Sequence, residues 1–244
     1  MTHAFPLWLH ILALISLLLA LVSALIIIVD EFYRPQHLWV MNLVWPLCAL
    51  FGSVIWLLFY FRWERAMPRS GAAMPAHMPG TERPKPLWAV TTAAASHCGS
   101  GCTLGDILAE GLGYFFPSVA LAFGWKSIFD EKIFAIWILD FIFAFTLGIG
   151  FQYFTIKPMR NLSAQRGFIE ALKADAATIT TWQIGMYGFT ALAQFGWFAR
   201  IYGAPIEADR PEFWFMIQIA MLCGFVTSYP VNWLLVKAGI KGKM

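Results

Sequence analysis

The chain has 244 residues, of which 59% are hydrophobic and 13% charged, with a mean hydropathy of +0.65. A soluble domain carries about 25% charged residues, so this composition excludes an ordinary soluble protein and points to a lipid bilayer. The formal charge of +3 is too small and too scattered to build a nucleic-acid surface.

The run from Leu7 to Val29 is long enough to cross a hydrocarbon core of about 30 Å. It has no basic start and no small-residue cleavage pattern, which predicts a retained helix rather than a signal peptide. His10 near its start is expected at the interface. After a polar connection at Asp30, Glu31, Arg34 and Pro35, Leu38 to Phe61 supplies a second span in which Pro46 is expected to introduce a kink. Residues 62–86 are rich in Pro, Gly and Ala, carry no helical period and read as a loop. Met67, Met74, His77 and Met78 in that loop are ligand types that suit copper, although the segment reads equally well as a flexible connector.

From Leu87 to Phe123 the chain is apolar or small for 37 residues, which as one helix would reach about 55 Å. A break is therefore expected at Gly99-Ser100-Gly101, with Leu87 to Ser96 interfacial and about Cys102 to Gly124 as the third span. Ile133 to Ile156 forms a fourth span containing Asp140. Residues 157–178 are mixed and amphipathic and predict a surface helix. Two more spans follow, about Ile179 to Arg200 and Phe213 to Val236.

The fold class is thus all-α, a polytopic helical membrane bundle of about six transmembrane helices with a broken or interfacial segment before the third. Residues 1–61 form two N-terminal helices, 62–86 a cytoplasmic loop, and 87–244 a four-helix membrane core. With both termini inside, twelve Lys and Arg fall on the cytoplasmic side against five on the other, as the positive-inside rule requires.

Chemistry concentrates in His97-Cys98-Gly99-Ser100-Gly101-Cys102, followed by Asp106 and Glu110. On a helix, Cys98, Cys102, Asp106 and Glu110 share one face. Thiolates and imidazole hold copper or zinc well, so His97, Cys98, Cys102 and Asp106 are the candidate metal ligands. Glu110 and Asp140 are candidates for an ion pathway or for support of the ligands, because an acid at the centre of a bilayer helix costs about 2.5–3.5 kcal/mol and seldom persists without a task.

Two other readings stand beside the metal one. The two cysteines could carry thiol redox chemistry, helped by a helix N-terminus. Alternatively, small residues simply allow tight packing in a structural or assembly subunit. Gly101, Gly105, Ala109 and Gly113 form a second stripe against which another helix, a second copy or a membrane partner could lie closely. Cys48 and Cys223, each alone in an apolar run, read as inert buried thiols. No nucleophile elbow, phosphate loop, HExxH or dinucleotide fingerprint is present, which leaves no catalytic assignment. A paired histidine set for haem is also missing.

The central stretch, together with Lys173-Ala174-Asp175 and the closing Tyr229-Pro230-Val231-Asn232-Trp233 and Gly239-Ile240-Lys241, resembles a bacterial membrane-protein family catalogued as domain of unknown function 4396. The likeness covers roughly Lys85 to Met244. It implies a shared helical membrane fold, a bacterial inner-membrane location, and the cysteine and closing motifs as hallmarks, and it supplies no activity.

Overall fold

The computed structural model describes residues 5–66, 85–203 and 205–241. The copper-type residues Met67, Met74, His77 and Met78 of the long loop lie outside the described residues. Eight α-helices account for most of the rest: α1 Leu7–Tyr33, α2 Met41–Phe59, α3 Leu87–Phe115, α4 Pro117–Ala122, α5 Lys132–Met159, α6 Ala164–Ala191, α7 Ala199–Tyr202 and α8 Pro211–Lys237. A π-helical turn, Tyr60–Glu64, extends α2, and another, Leu192–Phe198, joins α6 to α7. Among the described residues there is no strand, only one isolated bridge between Trp125 and Phe129.

Among the described residues four helices are long and apolar enough to cross a membrane, α1, α2 with its π turn, α5 and α8, but α2 folds back on itself at Ser53: Gln36 bonds Asn42 at its start and the Glu64 carbonyl at its end, so it enters and leaves on one side where a second span is expected. The clearest is α1, which turns Leu, Ile and Val outward along most of its length and keeps a narrow inner face of Ala13, Ala20, Ala24 and Ile27. An exposed apolar surface of that extent does not survive in water. His10, expected at the interface, bonds Glu212 of α8 at 2.7 Å through Nδ1, and Ser16 donates to Gln218 of the same helix. The non-helical residue inside α2 is Ser53, at φ 48°, rather than Pro46.

α3 overturns the expected break. It runs unbroken through Gly99-Ser100-Gly101 and stops only at Phe116, where Pro117 starts α4. Glycine in a helix interior costs about 1 kcal/mol, but here the missing side chains make room for neighbours. A methyl group at Gly99 would lie 2.3 Å from the Trp182 ring, one at Gly101 2.6 Å from the Gly148 backbone, and one at Gly105 2.6 Å from the Ala144 backbone. The close approach expected of the Gly101, Gly105, Ala109 and Gly113 stripe is therefore made within the chain, by α5. A second copy or another protein on that face would have to displace α5.

Residues 93–103 are all buried, because α3 touches α2, α5, α6 and α8. The amphipathic surface helix expected over 157–178 is instead divided. Lys157–Met159 end α5, and the rest opens α6, whose helical backbone continues to Tyr202.

Candidate functional site

Cys98, Cys102, Asp106 and Glu110 follow one another at successive turns of α3, and all four are buried. From Ala94 to Glu110 the stripe rises about 24 Å at 1.5 Å per residue, most of the thickness of a hydrocarbon core. Side chains from α5, α6 and α8 meet it at three levels.

At one end, Asp140 of α5 faces the interior and not the headgroups: it is 1% exposed. Tyr187 donates to its Oδ2 at 2.7 Å, and Gln183 Nε2 donates to the same oxygen at 3.0 Å. Trp137 stacks on the Tyr187 ring at 4.6 Å and holds the phenol in place. Asp106, Glu110 and Asp140 lie within Coulombic range of one another, with Lys132 the cation acting on Glu110. Asp106 Oδ2, Asp140 Oδ1 and Gln183 Oε1 are buried without a hydrogen-bond partner. All three are acceptors when the acids are ionised, and a proton or another cation entering here would find oxygens to hold it.

In the middle, His97 Nε2 lies 2.9 Å from Thr155 Oγ1, and Thr155 donates its own hydrogen to the Phe151 carbonyl at 3.0 Å. While Thr155 spends its hydrogen on that carbonyl, the imidazole is the donor, with its proton on Nε2 and a lone pair on Nδ1. Nδ1 is buried and unpartnered, as are both amide atoms of Gln152. Cys98 and Cys102 are free, fully buried thiols, and Cys102 is within Coulombic range of Cys98, Asp140 and Asp175. They sit well inside α3, so a helix N-terminus does not activate them. A regular helix also holds their Cβ atoms about 5–6 Å apart, beyond disulfide spacing. Among the described residues no three His, Cys, Asp or Glu side chains converge as a ready metal cage. Thr155→Val should strand the His97 Nε2 hydrogen and lower stability by about 1–3 kcal/mol, whereas Thr155→Ser keeps the bond; thermal unfolding in detergent measures both.

At the other end lies a group that sequence reasoning missed. The Lys241 ammonium, fully buried, contacts Asp175 Oδ1 at 2.6 Å and donates to Asn232 Oδ1 at 2.6 Å and to the Ala94 carbonyl at 3.2 Å. Asp175 had counted only as one charge of an amphipathic segment, and Lys241 as one of the basic residues orienting the tail. Sixty-six positions separate the two in the chain, and no periodicity links them. The only sequence signal was that both stand in stretches shared with a family. Cys48, read as inert, ties α2 to the same helix by donating to the Ser96 carbonyl at 3.1 Å, and Trp56 Nε1 donates to Ser96 Oγ.

No curated protein and no solved structure matches the chain. A family model described as Domain of unknown function (DUF4396) matches residues 87–241. That range takes in the whole polar column, from the Ala94 carbonyl through His97, the two thiols and the acids to Lys241, and the chain belongs to this family.

Proposed function

We propose that the protein is a membrane protein of five spans and one re-entrant helix pair that binds a soft transition-metal ion, copper or zinc, at His97, Cys98 and Cys102 and passes it along the stripe that continues through Asp106 and Glu110. The crossing helices are α1, α5 and α8 together with α3 and α6, while α2 enters and leaves on one side. α3 falls short in hydropathy because its surroundings are protein: Ala, Gly, Ser and Cys suffice where no lipid is met. The helical rod from Ala164 to Tyr202 rises about 58 Å. Its charged first half therefore projects beyond a core of about 30 Å while its second half crosses. The location is the bacterial inner membrane with the C-terminal end of α8 cytoplasmic, supported by the excess of basic residues on that side, which survives the removal of Lys241 from the count. The expectation of both termini inside is corrected, because α1 runs parallel to α8, with His10 beside Glu212 and Ser16 beside Gln218, and so starts on the opposite side.

One observation carries the functional reading: the buried column in which His97 Nδ1, Asp106 Oδ2 and, from α5, Asp140 Oδ1 have no hydrogen-bond partner, with the reduced thiols Cys98 and Cys102 between them. Each buried polar atom without a partner costs about 1–3 kcal/mol. A series of them along a column between α3 and α5 is an arrangement a visiting cation would satisfy. The thiols and imidazole select a soft ion for the middle position. Elemental mass spectrometry of detergent-purified protein under reducing conditions tests this. The expectation is about one copper or zinc per chain, lost in Cys98→Ser/Cys102→Ser while the variant still inserts and purifies. Equal metal in both proteins would end the proposal. Protein that cannot be loaded at all would favour a structural or assembly role, for which the interlocked α3–α5 contact is the supporting observation.

A further inference from the structure

The Lys241 ammonium is an unusual occupant of the column. Its side chain is fully buried, yet the four residues before it, 237–240, are exposed. Only the side chain reaches inward, from a turn that Gly239 makes possible by taking φ 70°. At the surface that turn is held by Arg160, which donates to the Gly239 and Ile240 carbonyls at 3.2 and 3.1 Å. The ammonium can therefore leave without the displacement of any helix. Around it stand three oxygens from three different helices, Asp175 Oδ1, Asn232 Oδ1 and the Ala94 carbonyl, which match the three hydrogens of an ammonium group. The second carboxylate oxygen of Asp175 is buried and unpartnered. Ala94, whose carbonyl receives the ammonium, precedes His97 and Cys98 by about one turn of α3.

We propose that Asp175, Asn232 and the Ala94 carbonyl form a binding site for a monovalent cation of the primary-ammonium class, that Lys241 fills it as a tethered cation, and that the ammonium thereby closes the column beside His97. The site and its occupant stand on their own geometry; only the role as a closure rests on the reading of the stripe as an ion path.

The test is chemical rescue. Lys241→Ala empties the site, so Cys98 should react with a small charged thiol reagent about tenfold faster or more as local opening becomes easier, read by peptide mass spectrometry. Propylammonium should restore both the protection of Cys98 and the thermal unfolding midpoint, whereas tetramethylammonium, which has no hydrogen to donate, should restore neither. Adding Asp175→Asn to Lys241→Ala should abolish the rescue. If Lys241→Ala fails to accumulate as folded protein, recovery of folded yield by extraction in propylammonium becomes the readout, with the same control. Equal effects of the two cations, or rescue that survives Asp175→Asn, would overturn the site. Rescue of stability with Cys98 labelling unchanged in Lys241→Ala would keep the site and overturn the closure. None of these outcomes depends on metal loading, so they are separable from the failure of the metal reading.

Discussion

Replacing Gly101 and Gly105 together by alanine is expected to destabilise the folded protein severely. Each added methyl group would meet backbone and not a movable side chain: the Gly148 Cα at 2.6 Å and N at 2.7 Å, and the Ala144 N at 2.6 Å and Cα at 2.9 Å. Rotamer changes cannot relieve such contacts, so α5 must move off α3. Overpacking of this kind costs about 1–3 kcal/mol per site, and two sites one turn apart push the same helix. The sum is a large share of a total stability of about 5–15 kcal/mol. Gly111→Ala on the same helix is the control. Nothing lies within 4 Å of its added methyl group, and relief of glycine's helix penalty should stabilise by about 0.4–1 kcal/mol. Size-exclusion profiles and unfolding midpoints of Gly101→Ala, Gly105→Ala, their combination and Gly111→Ala decide the matter. Similar behaviour at positions 101, 105 and 111 would show that helix propensity, not contact with α5, governs the stripe.

That contrast also explains what could be read from the chain. The apolar helices were legible because lipid imposes one requirement over some twenty consecutive positions, and α1, α5 and α8 fall close to where hydropathy puts them. The four-residue spacing of Cys98, Cys102, Asp106 and Glu110 was legible because a helix fixes it. The glycines were misread. By local propensity Gly99-Ser100-Gly101 is a breaker, and only the Trp182 ring and the Gly148 backbone, delivered by α6 and α5, turn it into a packing surface. The same held for the charges. Asp140 is a candidate from its place in a span, but its partners Tyr187 and Gln183 come from α6, and Lys241 reads as a tail charge although Asn232 and Asp175 receive it. Side chains whose environment is built by distant segments carry no mark of it in their own neighbourhood.

Asp175→Ala is expected to be the most destabilising single change among the polar residues. It leaves the Lys241 ammonium, 0% exposed in its side chain, with only Asn232 Oδ1 and the Ala94 carbonyl as partners. Removing one partner of a buried ion pair costs about 3–5 kcal/mol, because the remaining charge has neither water nor counterion. For a chain of this size that corresponds to a fall of roughly 6–20 °C in the unfolding midpoint. Asp175→Asn combined with Lys241→Met removes both charges and keeps both shapes, and should recover most of the loss, since an apolar replacement of a buried pair is often neutral or better. The coupling energy from the double-mutant cycle is the quantity to measure. Strong coupling would mean that the pair itself holds the C-terminal turn against the bundle. Coupling near zero would mean that the turn is held from outside, by the Arg160 bonds to the Gly239 and Ile240 carbonyls. In that case Arg160→Ala, and not Asp175→Ala, would be the variant that releases Lys241 from beside His97.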